Sequence, residues 1–137
     1  MKNIFLALTT LILAASCKEK DKDTLLLETY LKKQFNVEIA KDNSTYVLVA
    51  DQACSSCAKY VFEHAKSPID YYIFILPKPE DGYNYDHKNV LIDSSGNLGR
   101  LKFHKGNVCT IKTQDGLIKE VKTYDVQEVI NLFNETN

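Results

Sequence analysis

Residues 46–66 constrain this chain more than any other stretch. They read Tyr-Val-Leu-Val-Ala, then Asp-Gln-Ala, then Cys-Ser-Ser-Cys, then Ala-Lys-Tyr-Val-Phe-Glu-His-Ala-Lys. The first five are apolar types that favour strands, and almost nothing in them is polar, so they predict a buried strand. In the last part Ala58, Val61, Phe62 and Ala65 recur at i, i+3, i+4 and i+7, which puts them on one face of a helix. Two cysteines therefore sit where a strand hands over to a helix. A helix N-terminus presents unpaired backbone N–H groups and the positive end of the helix dipole, and both stabilise a thiolate. Two intervening residues at the first turn let the sulfurs approach bonding distance. Cys54 is expected to be the outer sulfur and Cys57, one turn in, the shielded one.

The flanks extend this unit into an α/β pattern. Residues 24–35 place Leu27, Leu31 and Phe35 on one helical face, with Tyr30 beside them. Residues 37–39 predict a short edge strand, and Lys-Asp-Asn-Ser at 41–44 a turn. Pro68 stops the second helix. Residues 70–76 form a second apolar run, and strand–helix–strand of this length predicts a parallel pair. Residues 77–87 read as loop, in which Tyr83 and Tyr85 either pack locally or line a surface. Residues 89–93 have apolar character, and a short helix is expected within 93–101. Residues 108–113 and 117–123 predict a hairpin through Asp115-Gly116. Asp125, with Glu128 three residues on, opens a last helix whose apolar face is Val126, Val129, Ile130 and Phe133.

At 137 residues the chain has room for one domain. Its formal net charge of −1 supplies no basic field, so no nucleic-acid partner is expected. Residues 1–16 carry a positive start at Lys2 and an apolar run that is short for a membrane span of about 20 residues. They end Leu-Ala-Ala-Ser before Cys17, which resembles a bacterial lipobox. The resemblance implies removal of residues 1–16, lipid on Cys17 and anchoring to a membrane. That places the domain in the cell envelope, on the periplasmic side or at the cell surface. An ordinary secretory signal peptide is the alternative. Residues 18–23, Lys-Glu-Lys-Asp-Lys-Asp, hold no apolar side chain, so 17–23 predicts a solvated tether and 24–137 the domain.

A C-x-x-C between such a strand and such a helix resembles the thioredoxin-like superfamily of thiol–disulfide proteins. The resemblance implies an α/β three-layer sandwich. Its central mixed sheet has parallel strands plus a C-terminal hairpin, with helices on both faces; the N-terminal helix here is extra. It also implies thiol–disulfide exchange on protein clients through Cys54 and Cys57, with an envelope thiol protein as redox partner. The chain departs from the family in three places. The family's cis-proline before the hairpin falls near Asn107, its tryptophan before the first cysteine is Ala53, and its buried acid falls near Leu48, with Asp51 the closest carboxylate.

Two readings of the cysteine pair stay open. One is a pair that cycles between dithiol and disulfide. The other is a fixed staple in a non-catalytic binding module, consistent with the oxidising compartment. So short a loop restricts the unfolded chain little, which argues for chemistry over staple. Cys109 reads as a buried thiol, yet its place beside Asn107 makes it a candidate accessory thiol near the pair. With His104 it would complete a four-ligand zinc set, but only the C-x-x-C half has ligand spacing, so no metal site is assigned. No P-loop or dinucleotide glycine pattern occurs, and no cofactor is expected.

Overall fold

The computed structural model of the protein describes residues 20–78 and 83–134. The expectations for residues 1–16 and for Cys17 lie outside the described residues. Five strands, β1 (Ser44–Val49), β2 (Tyr72–Pro77), β3 (Val90–Asp93), β4 (Val108–Gln114) and β5 (Leu117–Tyr124), form one mixed sheet in the order β3-β2-β1-β4-β5. The parallel pairs are β1 with β2 and β2 with β3. The antiparallel pairs are β1 with β4 and β4 with β5. Asp115 and Gly116 both take positive φ (55° and 71°), as a two-residue hairpin turn requires.

Two α-helices cover the sheet, α1 (Lys22–Phe35) and α2 (Ser55–Ala65). Side chains alternate along each strand, so one strand feeds both layers. Val47, Val49, Phe74, Leu76 and Val108 pack with Val61, Phe62 and Ala65 of α2. Tyr46, Leu48, Ile75, Cys109 and Ile111 pack on the opposite face with Leu27, Tyr30 and Leu31 of α1. Burial on both sides explains why β1 and β2 are apolar at consecutive positions.

Four local expectations change. Helix α1 starts at Lys22 rather than at residue 24, because Asp21 caps it: the Thr24 N–H donates to Asp21 Oδ1 at 2.8 Å. Lys22 and Asp23, expected in the tether, lie in the first turn of this helix, and Lys20 before it bonds Glu28 at 2.7 Å. Residues 37–39 form no strand; Ile39 instead buries its side chain under α1. The expected last α-helix reduces to a 3-10 turn, Val129–Asn131. Its cap does form, with the Asp125 N–H donating to Glu128 Oε2 and the Glu128 N–H to Asp125 Oδ1. Val129 and Leu132, three apart, are buried, whereas Val126 and Ile130 are more than half exposed. That is the 3-10 period, not the α one. The short helix expected within 93–101 is the 3-10 segment Asn97–Arg100.

Candidate functional site

Strand β1 runs out at the sheet's centre, and the chain turns at once into α2. The Ala53 N–H donates to the Ala50 carbonyl at 3.0 Å, which closes that turn. Cys54 is the N-cap of α2, with extended backbone (φ −56°, ψ 137°). This position usually carries Ser, Thr, Asp or Asn, whose side-chain oxygen accepts from the first turn. Here a sulfur takes that role: the Cys57 N–H donates to Cys54 Sγ at 3.1 Å. Ser56 Oγ lies 3.4 Å from the same sulfur. A neutral sulfur is a weak acceptor and a thiolate a strong one, so the contact gains most when Cys54 is ionised.

Cys54 and Cys57 are joined as a disulfide, with Cα atoms 5.2 Å apart. The two sulfurs are not equivalent. Cys57 is 3% exposed and packs among the apolar side chains under α2, while Cys54 is half-buried at the helix tip. Outer and shielded positions therefore fall as the spacing implied.

Asn107, just before β4, holds the turn from the other side. Its side-chain Oδ1 accepts the Cys54 N–H at 2.9 Å. Its backbone carbonyl accepts the Ala50 N–H at 3.0 Å. No peptide bond among the described residues is cis, and Asn107 stands where the resemblance expected a proline. Gly106 delivers it: φ is +78°, and a Cβ there would lie 2.9 Å from the Thr123 side chain. Asn107→Ala removes one acceptor from a half-buried N–H. It is expected to lower stability by about 1 kcal/mol in urea titration of the oxidised protein. Asn107→Asp should keep the bond, so equal losses in the two variants would count against this contact.

Cys109 does not join the site. It pairs with Leu48 across β1 and β4, and both side chains face α1, whereas Val108 faces α2 with the disulfide. Neighbouring Asn107 in sequence thus puts its sulfur through the sheet from Cys54. It is fully buried, and burial pushes its thiol up to about 12. The zinc set of Cys54, Cys57, Cys109 and His104 therefore does not converge, and no group of three potential ligands occurs among the described residues.

His64 and His87 take structural places. His64 stacks on Phe133 with ring centroids 4.1 Å apart, and its Nδ1 lies 2.9 Å from the Tyr60 carbonyl. His87 Nδ1 accepts the Asn89 N–H. For His104, burial lowers the pKa, opposed by a hydrogen bond with the Leu48 backbone and by the charge of Asp51. Leu48, at the place of the family's buried acid, lies in the α1-side core. Asp51 is exposed, with Oδ2 about one contact distance, 3.1 Å, from where a Gly96 Cβ would stand.

Sequence reasoning missed a buried carboxylate nearby. Asp93, at the end of β3, is 3% exposed and accepts from Tyr30, Ser95 and the Leu98 N–H. Its signal was faint: one acid closing an apolar strand before a Ser-Ser-Gly break.

Compared with protein-family models, with curated proteins and with solved structures, the chain matches none. The functional reading therefore stands on the residues and their geometry.

Proposed function

We propose that this is a lipid-anchored protein of the cell envelope, with a thioredoxin-like domain that exchanges thiols and disulfides with protein clients. The supporting observation is the N-cap sulfur. Cys54 accepts a first-turn N–H at the start of α2, with Cys57 buried one turn behind it. An anionic sulfur gains from both the N–H and the helix dipole there. The strand–cysteine pair–helix–strand order and the C-terminal hairpin support the fold reading. The anchor rests on the sequence of residues 1–17.

The exchange runs as follows. A client thiolate attacks Cys54 Sγ, the accessible end of the disulfide. The Cys54–Cys57 bond breaks, and its electron pair leaves on Cys57, which takes a proton. The second client thiolate attacks the client sulfur of the mixed disulfide and releases Cys54. The client has lost two electrons and two protons, and the protein has gained them. The reverse path reduces a client disulfide. An envelope dithiol or disulfide protein returns the pair to its starting state.

The test is capture. On the reverse path the Cys54 thiolate of Cys57→Ala still attacks a client disulfide, but no Cys57 thiol follows to resolve the mixed disulfide, so disulfide-linked clients should accumulate on the variant and vanish on reduction. Cys54→Ala should capture none. A disulfide that survives millimolar glutathione, with no client on the Cys57→Ala variant, would instead support the fixed staple in a binding module.

A further inference from the structure

Helix α1 buries one side against the sheet, and its other side has an unusual composition. At about 100° per residue, Lys32, Leu25, Thr29, Lys22, Lys33 and Leu26 fall within an arc of about 120°. All are exposed except Leu26, which is half-buried. The arc holds lysines and leucines and no acid, and Leu25 is 49% exposed. Beside Leu26 a recess of about 180 Å³ opens between α1 and the Asn97–Arg100 turn. Leu101 lines it, and so do Lys33 and the exposed Arg100.

The nearby acids lie outside this arc. Asp21 is used in capping, by the Thr24 N–H and hydroxyl. Asp23 stands about 60° beyond Leu26, on the side of Tyr30. Glu28 stands about 40° beyond Lys32 on the other flank and is bonded by Lys20 at 2.7 Å. Glu38, after the helix, stands between Lys32 and Lys33 on one side and Lys20 and Lys41 on the other. Lys22, Lys32, Lys33 and Arg100 form no salt bridge among the described residues.

The position of α1 in the chain supplies the partner. Lys22 opens the helix five residues after Cys17, the lipid site proposed above. Five residues span at most about 18 Å, so α1 stays beside the bilayer that holds the anchor. A helix face that mixes lysines with exposed leucines suits the headgroup region, and each Lys or Arg there gains from an anionic surface. Helix α2 and the disulfide pack on the opposite face of the sheet, so a bilayer held against α1 leaves Cys54 open to clients.

We propose that the outer face of α1 docks on an anionic phospholipid bilayer. Leu25 and Leu26 enter the headgroup boundary, and Lys22, Lys32, Lys33 and Arg100 face the lipid phosphates. The inference rests on the lipid anchor, and it adds a second, electrostatic contact that fixes which way the domain faces.

The test uses the full, lipid-bearing protein reconstituted in vesicles of phosphatidylcholine, alone or in an about 2:1 mixture with phosphatidylglycerol. The chain contains no tryptophan. Leu25→Trp therefore puts a single reporter on the proposed face, and Lys59→Trp a single reporter on exposed α2 surface. Lipids with brominated acyl chains quench a reporter that reaches the bilayer.

In the anionic vesicles the α1 reporter should be quenched at least about 3-fold more than the α2 reporter, and the contrast should weaken in about 0.5 M salt. Lys32→Gln with Lys33→Gln should lower the docked-to-undocked ratio by about 10-fold. Arg100→Gln, outside α1, should act in the same direction without altering the helix. Failure of the protein to float with phosphatidylcholine vesicles overturns the anchor and the docking face with it. Flotation with equal quenching of the two reporters overturns the docking face and leaves the anchor standing. So does quenching that neither anionic lipid nor the lysine and arginine substitutions change. A blue-shifted α1 reporter that brominated lipid does not quench means that a second copy covers the face, and it also overturns docking on lipid.

Discussion

Asp93→Ala is expected to destabilise the domain by about 3 kcal/mol or more, a large share of the stability of a domain this size. The carboxylate accepts from the Tyr30 hydroxyl at 2.8 Å, Gln34 Nε2 at 3.2 Å, the Ser95 N–H at 3.0 Å, the Ser95 hydroxyl at 2.6 Å and the Leu98 N–H at 2.9 Å. Hydrogen bonds to an ionised acceptor are each worth more than neutral ones, and the Tyr30 hydroxyl and the Leu98 N–H would be left buried. The group also ties distant parts together: two donors come from α1, and the rest from the segment that turns β3 into the Asn97–Arg100 helix. Tyr30→Phe removes a single bond and should cost about 1.5 kcal/mol. Urea unfolding of the two variants checks the ratio. A loss under about 1 kcal/mol for Asp93→Ala would show that water replaces the protein donors.

The same carboxylate shapes the pH profile. Burial alone would raise the Asp93 pKa, but the bonds from Ser95, Tyr30 and Gln34 outweigh it and hold the carboxyl below the usual carboxylate range. The unfolded chain then takes up this proton at a higher pH than the folded one. Stability from this group is full above the unfolded value of about 3.9 and falls as acid approaches the folded value. Tyr30 works at the other end. Burial, then the Asp93 contact, raise its pKa, so stability is lost as alkali ionises it in the unfolded chain. Asp93→Asn should flatten the acid limb relative to the unmodified protein, in urea midpoints taken across that range.

How far the sequence was readable follows from the range of each signal. The unit from β1 to β2 was legible because its information is local: two apolar runs, a helical period and a proline stop within about thirty residues. The hairpin was legible for the same reason, since Asp115-Gly116 names its own turn. Cys109 was legible as a buried thiol, but the face it takes was not, because β4 is buried on both faces and Val108 and Cys109 look alike in sequence. The register Leu48↔Cys109 decides the face, and that is a long-range fact. Asn107 could be located by counting back from the turn, but its amide bonds a residue 53 positions away. Asp93 meets Tyr30 and Gln34 across 63 and 59 positions. The last helix failed for a third reason. Its cap is present, but no groove receives Val126 or Ile130, and propensity alone does not hold so short a helix.

The second large effect lies in the thiols themselves. In the reduced, folded protein, iodoacetamide at neutral pH should label Cys54 at least roughly 100-fold faster than Cys109, read by mass spectrometry of timed digests. At pH 7 a thiol pushed up to about 12 is thiolate to roughly one part in 100,000, whereas an ordinary thiol near 8.5 is thiolate to roughly 3%. That is a ratio of roughly 3,000. The less basic thiolate is the weaker nucleophile, with a Brønsted slope of about 0.4–0.5, which brings the ratio down to roughly 100. Burial widens it again, since Cys109 is fully enclosed. Capping of α2 should act in the same sense on Cys54, so its labelling midpoint against pH is expected below the free-thiol value of about 8.5. Cys57, enclosed under α2, should also lag until denaturant equalises all three. If Cys57 labels as fast as Cys54 in the folded protein, the division into an outer nucleophile and an inner resolving thiol fails. Rapid labelling of Cys109 would mean that the α1 layer opens on the timescale of the reaction.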